Sequence, residues 1–285
     1  MVCRRPCADV ENKVSIQIAG LTLQIVADNI QVTDPRIAKA LSVMDPLPIQ
    51  DLAKRCEKAG ADAIDINPGP LTRDGEKKMA FMVEAVQDVC SLPLYLDTSN
   101  PSAIAAGLKV CREKPIINGF SLEPAKIEKI LPLAATFDCD IIGFLLYPNG
   151  MVPRDAQERL TLAVQLYEAF NEKGIEPQRL VIDPVLVPLV WEDGSRQAME
   201  ILTVIRVLPE LLGWPVRTIV GLSNLTSGRG PKEKKRLLEA GYLPMVASAG
   251  LDRVLMDIFH QNTVSTARAC NVITRQGTFS WEEIP

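Results

Sequence analysis

Histidine occurs once in the 285 residues, at His260. A single imidazole excludes any mechanism built on a histidine pair and any metal centre that needs two histidines. Cysteine occurs seven times, at Cys3, Cys7, Cys56, Cys90, Cys111, Cys139 and Cys270, but never as a CxxC pair and never near the histidine. An odd count with that spacing reads as free thiols, so no zinc or iron–sulfur site is expected, and no metal is assigned. No apolar run approaches the ~20 residues of a membrane span; the longest is Ile141 to Leu146. Met1 to Lys13 carries two arginines with neither an apolar core nor a small-residue cleavage site behind them. A secretory signal is therefore not expected, and a cytoplasmic location is. Basic residues are too few to favour nucleic acid: 31 Lys and Arg against 35 Asp and Glu leave a net charge of −4.

What the chain does have is 47% hydrophobic residues, arranged as short runs rich in Ile, Val and Leu between longer amphipathic stretches. Eight such runs can be counted: LQIVAD, ADAIDIN, LPLYLD, KPIING, CDIIGFLL, RLVIDP, RTIVGLS and RVLMD. Helical periodicity is read over Ile49–Ala59, Glu76–Cys90, Pro101–Cys111, Glu123–Thr136, Ala156–Glu172, Arg196–Val207, Lys232–Ala240 and Thr263–Val272. Eight βα units in this length predict one α/β domain, a closed (β/α)8 TIM barrel over residues 13–275. KVSIQIAGLTLQIVAD predicts an N-terminal β-hairpin turning at Ala19 and Gly20, while residues 1–12 and 276–285 are expected to be tails.

In such a barrel, ligands bind where the strands end. Asp28, Asp65, Asn67, Asp97, Asn118, Asp183, Asn224 and Asp257 fall at or just after the apolar runs, and none of these positions is Lys, Arg or His. Carboxylates and amides accept hydrogen bonds, and a carboxylate takes two parallel N–H donors well. A mouth of this kind suits a neutral heterocycle with an amino group beside a ring N–H and suits a phosphate badly. Two plainer readings compete. Each Asp or Asn alone is favoured as a turn or helix cap, and Asp65, Asp97 and Asp183 are ligands that a divalent cation would accept.

LYLDTSN (Leu94 to Asn100), PIING (Pro115 to Gly119), LVIDPVLVP (Leu180 to Pro188) and TIVGLSN (Thr218 to Asn224) resemble the pterin-binding barrels, most closely the methyltetrahydrofolate:corrinoid methyltransferases. ADAIDINPGP, DPLPIQDLAKRCEKAGA and GLDRVLMD add to the likeness, which spans about Ile25 to Ile273. The resemblance implies a homodimer that binds tetrahydrofolate and exchanges a methyl group between its nitrogen 5 and a corrinoid on a partner protein. It implies that Asp97, Asn118 and Asp183 hold the pterin, with Asp183 on the amino group and ring nitrogen. Asp65 and Asn67 line the same mouth, Gly221 and Ser223 shape the loop, and Asn224 faces nitrogen 5. The first strand departs from the family's GERxN: it reads ADNIQ, Ala27 to Gln31, which weakens any role carried over to Asp28, Asn29 and Gln31.

Under that implication Asn224 is the catalytic residue. Nitrogen 5 must gain positive character before or during methyl displacement, and a charged acid beside it would repel the developing cation. An amide stays neutral and can donate or accept. The enzymatic alternative is a dihydropteroate synthase, whose GxSRK loop and basic end at the eighth strand are replaced here by GLSN and VLMD. A non-catalytic folate-binding protein is the other. RGPKEKKR, Arg229 to Arg236, reads as a solvated helix start or as an attractor of acidic groups, His260 as a surface or capping residue, and Trp191 as packing or as a surface for the corrinoid.

Overall fold

The computed structural model describes residues 22–71, 73–274 and 279–281. Eight parallel strands close into a barrel in chain order: β1 (Gln24–Gln31), β2 (Ala63–Asn67), β3 (Leu94–Asp97), β4 (Ile116–Phe120), β5 (Asp140–Phe144), β6 (Leu180–Asp183), β7 (Arg217–Gly221) and β8 (Arg253–Met256), with β8 pairing back to β1. The chain is a (β/α)8 TIM barrel. Every strand falls within one of the eight apolar runs or overlaps it. The first half of the expected hairpin, residues 13–21, lies outside the described residues, as do the 1–12 tail and most of the 276–285 tail. Among the described residues no helix is long and apolar enough to cross a membrane.

The helices are α1 (Pro35–Val43), α2 (Leu47–Lys58), α3 (Gly75–Gln87), α4 (Pro101–Val110), α5 (Pro124–Lys129), α6 (Leu131–Thr136), α7 (Ala156–Asn171), α8 (Gly194–Leu212), α9 (Lys232–Ala249) and α10 (Gln261–Thr274). Helix α1 has no counterpart among the expected helices, although Asp34 caps it by accepting from Arg36 N at 2.8 Å and Pro35 follows at the first helical position. The stretch Glu123–Thr136 forms two helices rather than one, because Pro132 has no N–H to continue the ladder. Conversely α8 and α9 run past Pro209 and Pro244. Burial of Leu208 in α8 and of Leu243 and Val246 in α9 offsets the missing bonds, so packing overrides the local stop signal.

Side chains alternate between two cores. Outward-facing strand residues such as Ile64, Leu96, Ile182 and Val254 pack under the helices. Inward, Val26, Ala63, Tyr95, Ile116, Ile142, Val181 and Ile219 form an apolar ring joined by Leu255. One inward step further along, two residues on, the ring changes character: Asp28, Asp65, Asp97, Asn118, Phe144, Asp183 and Gly221. The acceptors of the mouth thus sit one layer above a filled apolar floor. Two irregularities adjust this layer. The β1 register shifts between Ala27 and Ile30, and the β4 register between Asn118 and Phe120. Ile30 and Phe120 therefore return to the outer core, and in β1 the shift brings both Asp28 and Gln31 inward.

Candidate active site

A cavity of about 240 Å3 opens at the C-terminal ends of the strands. Asp65, Asn67, Asp97, Asn118, Asp183, Gly221, Ser223 and Asn224 all line it, so every expected site residue faces one space. Asp28 and Gln31, from the divergent first strand, line it as well, together with Phe144 and Leu255, which sequence reasoning misses. The strand alternation is the signal that locates both, since Phe144 lies two residues beyond inward-facing Ile142 and Leu255 two beyond Arg253.

The acceptors are organised in pairs. Asn118 Nδ2 donates to Asp65 Oδ1 at 2.9 Å, and Asn67 Nδ2 donates to Asp97 Oδ2 at 2.6 Å. Asn67 Oδ1 accepts from Gly69 N at 2.9 Å, and Asp183 Oδ1 accepts from Val185 N at 2.7 Å. Asn67 and Asp183 thus do the turn duty expected of any strand-end Asp or Asn, but each spends only part of its capacity on it. Asp183 Oδ2 has no hydrogen-bond partner among the described residues. Asp65, Asn118 and Asp183 are only 3%, 6% and 9% exposed. Burial of this kind raises carboxyl pKa values. Asp183 is pushed up to about 7, against the Val185 N–H and the Arg159 charge. Asp97 is pushed to about 6 by burial, against the Asn67 amide and Lys126. Asp65 is raised well above the usual carboxylate range by burial and by Asp97, and Asp28 rises to about 7 through burial and the nearby Asp257.

Asn224 lies in a short 3-10 turn, Leu222–Thr226, directly after β7. It caps no α-helix: α9 starts at Lys232 with Pro231 before it. Its amide reaches back over Gly221, where a Cβ would come within 3.1 Å of Nδ2. The absent side chain at Gly221 leaves that amide its place at the cavity edge. Ser223 Oγ donates to Asp28 Oδ2 at 3.4 Å, which links the β7 and β1 ends. By contrast Asn100 is a true cap, accepting from Ala103 N at 3.1 Å at the start of α4.

Other singled-out residues lie elsewhere. His260 is buried rather than on the surface and immediately precedes α10, its ring meeting Thr263 Oγ1. In the basic run, Lys235 Nζ donates to Gly228 O at 2.6 Å and Arg236 pairs with Glu233 at 3.5 Å, as befits a solvated helix start. Trp191 is 48% exposed and borders a groove of about 700 Å3 with Met151 and Arg154. Among the described residues no group of three or more His, Cys, Asp or Glu side chains is spaced to hold a metal ion.

Residues 29–258 match the family model of pterin binding enzymes. The chain is 24% identical over 237 residues to a methylcorrinoid:tetrahydrofolate methyltransferase of Eubacterium limosum, covering 82% of this chain and 84% of that protein. It is 24% identical over 214 residues to the methionine synthase of Mycobacterium tuberculosis, covering 72% of this chain but spanning only 18% of that protein's length. In fold it resembles a dihydropteroate synthase of Coxiella burnetii in complex with pteroic acid, with a TM-score of 0.66 at 14% identity over 89% of this chain and 94% of that one. The dihydropteroate synthase of Xanthomonas albilineans with 4-aminobenzoic acid gives a TM-score of 0.65 at 20% identity, over 88% and 92%. With its strand-end cavity and a family match that runs from the first strand to just past the eighth, the chain belongs to the pterin-binding enzymes.

Proposed function

We propose that this protein moves a methyl group between nitrogen 5 of tetrahydrofolate and the cobalt of a corrinoid carried by a partner protein. The observation that carries the reading is the make-up of the cavity wall: four carboxylates and no Lys, Arg or His among its lining residues. Such a wall would repel the pyrophosphate that a dihydropteroate synthase must displace, and it welcomes the N–H donors of a neutral pterin. The similarity to the Eubacterium limosum enzyme supports the same choice.

In this reading Asp183 accepts the paired N–H donors of the pterin's amino edge. Asp97 and Asn118 hold the ring, and Asp65 and Asn67 orient them through the two amide–carboxylate bonds. The corrinoid, when the partner brings it, supplies the nucleophile. This chain's task is the leaving group: nitrogen 5 takes a proton from water before or as the methyl–nitrogen bond breaks, and keeps that bond's electron pair. Asn224 places a neutral, reorientable dipole beside that atom, able to donate to the free amine or accept from the protonated one. Exposed Trp191 and Met151 would offer an apolar rest for the corrinoid ring. A homodimer is the proposed unit, and α9 carries exposed apolar side chains, Leu237, Leu238 and Met245, that such an interface would cover.

The experiment is spectroscopic. Methyltetrahydrofolate is mixed with cob(I)alamin or a corrinoid protein, and loss of the cobalt(I) absorbance is followed with and without the enzyme. Catalysed loss is expected. Tight folate binding without turnover in either direction would make the chain a folate-binding module. Condensation of a pterin pyrophosphate with 4-aminobenzoate would make it a dihydropteroate synthase.

A further inference from the structure

Behind the β6 end of the cavity lies a charged side chain that the proposed methyl transfer does not use. Arg159, in the first turn of α7, is 0% exposed. Its guanidinium crosses to the loop after β6. Nε donates to Pro184 O at 2.9 Å, Nη2 to Gln197 Oε1 at 2.8 Å and Nη1 to Asp155 O at 3.4 Å. All of these acceptors are neutral, an unusual setting for a buried cation. Gln197 is in turn fixed by donating from Nε2 to Asp193 Oδ1 at 2.9 Å.

The charged and titratable groups around Arg159 are Asp155, which caps its own helix, Glu158 within that helix, Glu200 on α8, Tyr242 on α9 and Asp183 at the end of β6. Most of them have other work. Asp155 accepts from Glu158 N, Glu158 from Arg154 N and Glu200 from Ala156 N, each at 2.9 Å. The Tyr242 hydroxyl donates to Ala198 O at 2.7 Å. Asp183 remains, the residue immediately before the carbonyl that Arg159 grips. Its Oδ1 takes the N–H of Val185, a β-branched residue at φ 63, a left-handed conformation that such residues avoid. A turn of that kind persists only where its surroundings hold it. The Arg159 bond to Pro184 O acts between its two ends.

We propose that Arg159 is a positioning residue: it pins the turn Asp183–Val185 from behind and supplies the positive field that keeps the Asp183 carboxylate a two-bond acceptor in the cavity. The inference rests on the reading of Asp183 as the pterin's anchor. Burial pushes Asp183 up to about 7, and Arg159 opposes that rise. Without the guanidinium the carboxyl holds its proton to higher pH, and a protonated carboxyl cannot accept two parallel N–H bonds.

The test is to titrate Asp183 in the folate-free protein by NMR of carboxyl-13C aspartate, the signal being assigned with Asp183→Asn. In Arg159→Met the midpoint is expected to rise by about one pH unit. Methyltetrahydrofolate affinity, measured by calorimetry, should fall about tenfold at pH 6.5 and less than about threefold at pH 9. Arg159→Lys keeps the charge without the planar fork, and should hold the midpoint close to wild type while losing a few-fold in affinity at every pH. If Arg159→Met does not fold, Arg159→Gln, which removes the charge but keeps an amide donor for the buried acceptors, is expected to raise the midpoint in the same direction. An unmoved midpoint in the variant that folds, or an affinity loss equal at both pH values, would reduce Arg159 to a packing residue and overturn the proposal. A raised midpoint in a protein that binds no methyltetrahydrofolate would support the link between Arg159 and Asp183 and overturn the pterin reading instead.

Discussion

The two ends of the barrel interior carry charge in opposite ways. At the N-terminal end, one inward step below the apolar ring, both signs are present and bind each other. Arg217 Nη1 meets Asp140 Oδ2 at 2.8 Å, and nearby Asp252 accepts from Thr218 N and Oγ1 at 2.6 and 3.0 Å. Arg253 Nη1 is a buried donor there without a partner among the described residues, an exception to this pairing. At the C-terminal end, one step above the ring, the lining charges are all negative and are met by amides, a hydroxyl and backbone N–H groups. Structural polar groups satisfy one another. A surplus of acceptors, each partly used, is what a layer looks like when a ligand is to complete it. The floor therefore reads as support and the mouth as function, and substitutions at the two ends should separate along that line.

The largest effect is expected from Asn224→Ala. Removing one preorganised dipole at a centre of changing charge costs about 3 kcal/mol, or ~100-fold in rate. Because the side chain caps no helix, the loss of stability should stay below ~1 kcal/mol, and folate affinity should change only a few-fold. Single-turnover methyl transfer alongside urea unfolding checks both halves. A variant rate within a few-fold of wild type would remove Asn224 from the chemistry.

Asp183→Asn comes next and tests the surplus itself. The folded carboxyl, at about 7, keeps a proton that the unfolded chain, at the ordinary value of 3.8, has already released. Native protein then binds more protons than unfolded protein between those values, so the contribution of this group to stability is highest below about pH 4 and is lost as pH rises through about 7. The amide removes that penalty. Asp183→Asn should be more stable than wild type by on the order of 1–2 kcal/mol at pH 8, with the advantage fading toward pH 4. Its pterin affinity should fall more than about tenfold, since an amide cannot accept two parallel N–H bonds. Equal stability at pH 8 would mean that the empty site already satisfies its carboxylate.

Much of this division is legible in the sequence alone. The apolar runs locate all eight strands, and because a parallel barrel binds at its strand ends, the Asp and Asn residues closing those runs mark the cavity. What stays hidden depends on registers and crossings that a linear pattern does not record. Asp28 and Gln31 are three residues apart and would face opposite ways in a regular strand, yet the shift after Ala27 turns both inward. Phe144 sits within the longest apolar run, where the alternation that puts it on the cavity side with Ile142 becomes readable only once one inward-facing residue is known. Arg159, flanked by Gln157, Glu158 and Leu160, reads as part of a solvated helix face, and only the return of the chain after β6 buries it against Pro184.

The smallest effect is expected at the floor. Arg217→Met removes the partner of Asp140 while keeping most of the aliphatic stem, and both side chains are partly screened by water, at 29% and 18% exposure. A pair in that setting falls between the exposed and the fully buried cases, so about 1 kcal/mol of stability should be lost. The inward-facing Ile219 and its neighbours separate this pair from the cavity, and neither partner is among the cavity's lining residues. The folate KM and the methyl-transfer rate should therefore stay within about twofold of wild type. A selective rise in KM without loss of stability would show that the apolar ring transmits changes from one end to the other, and the separation of support from function would fail.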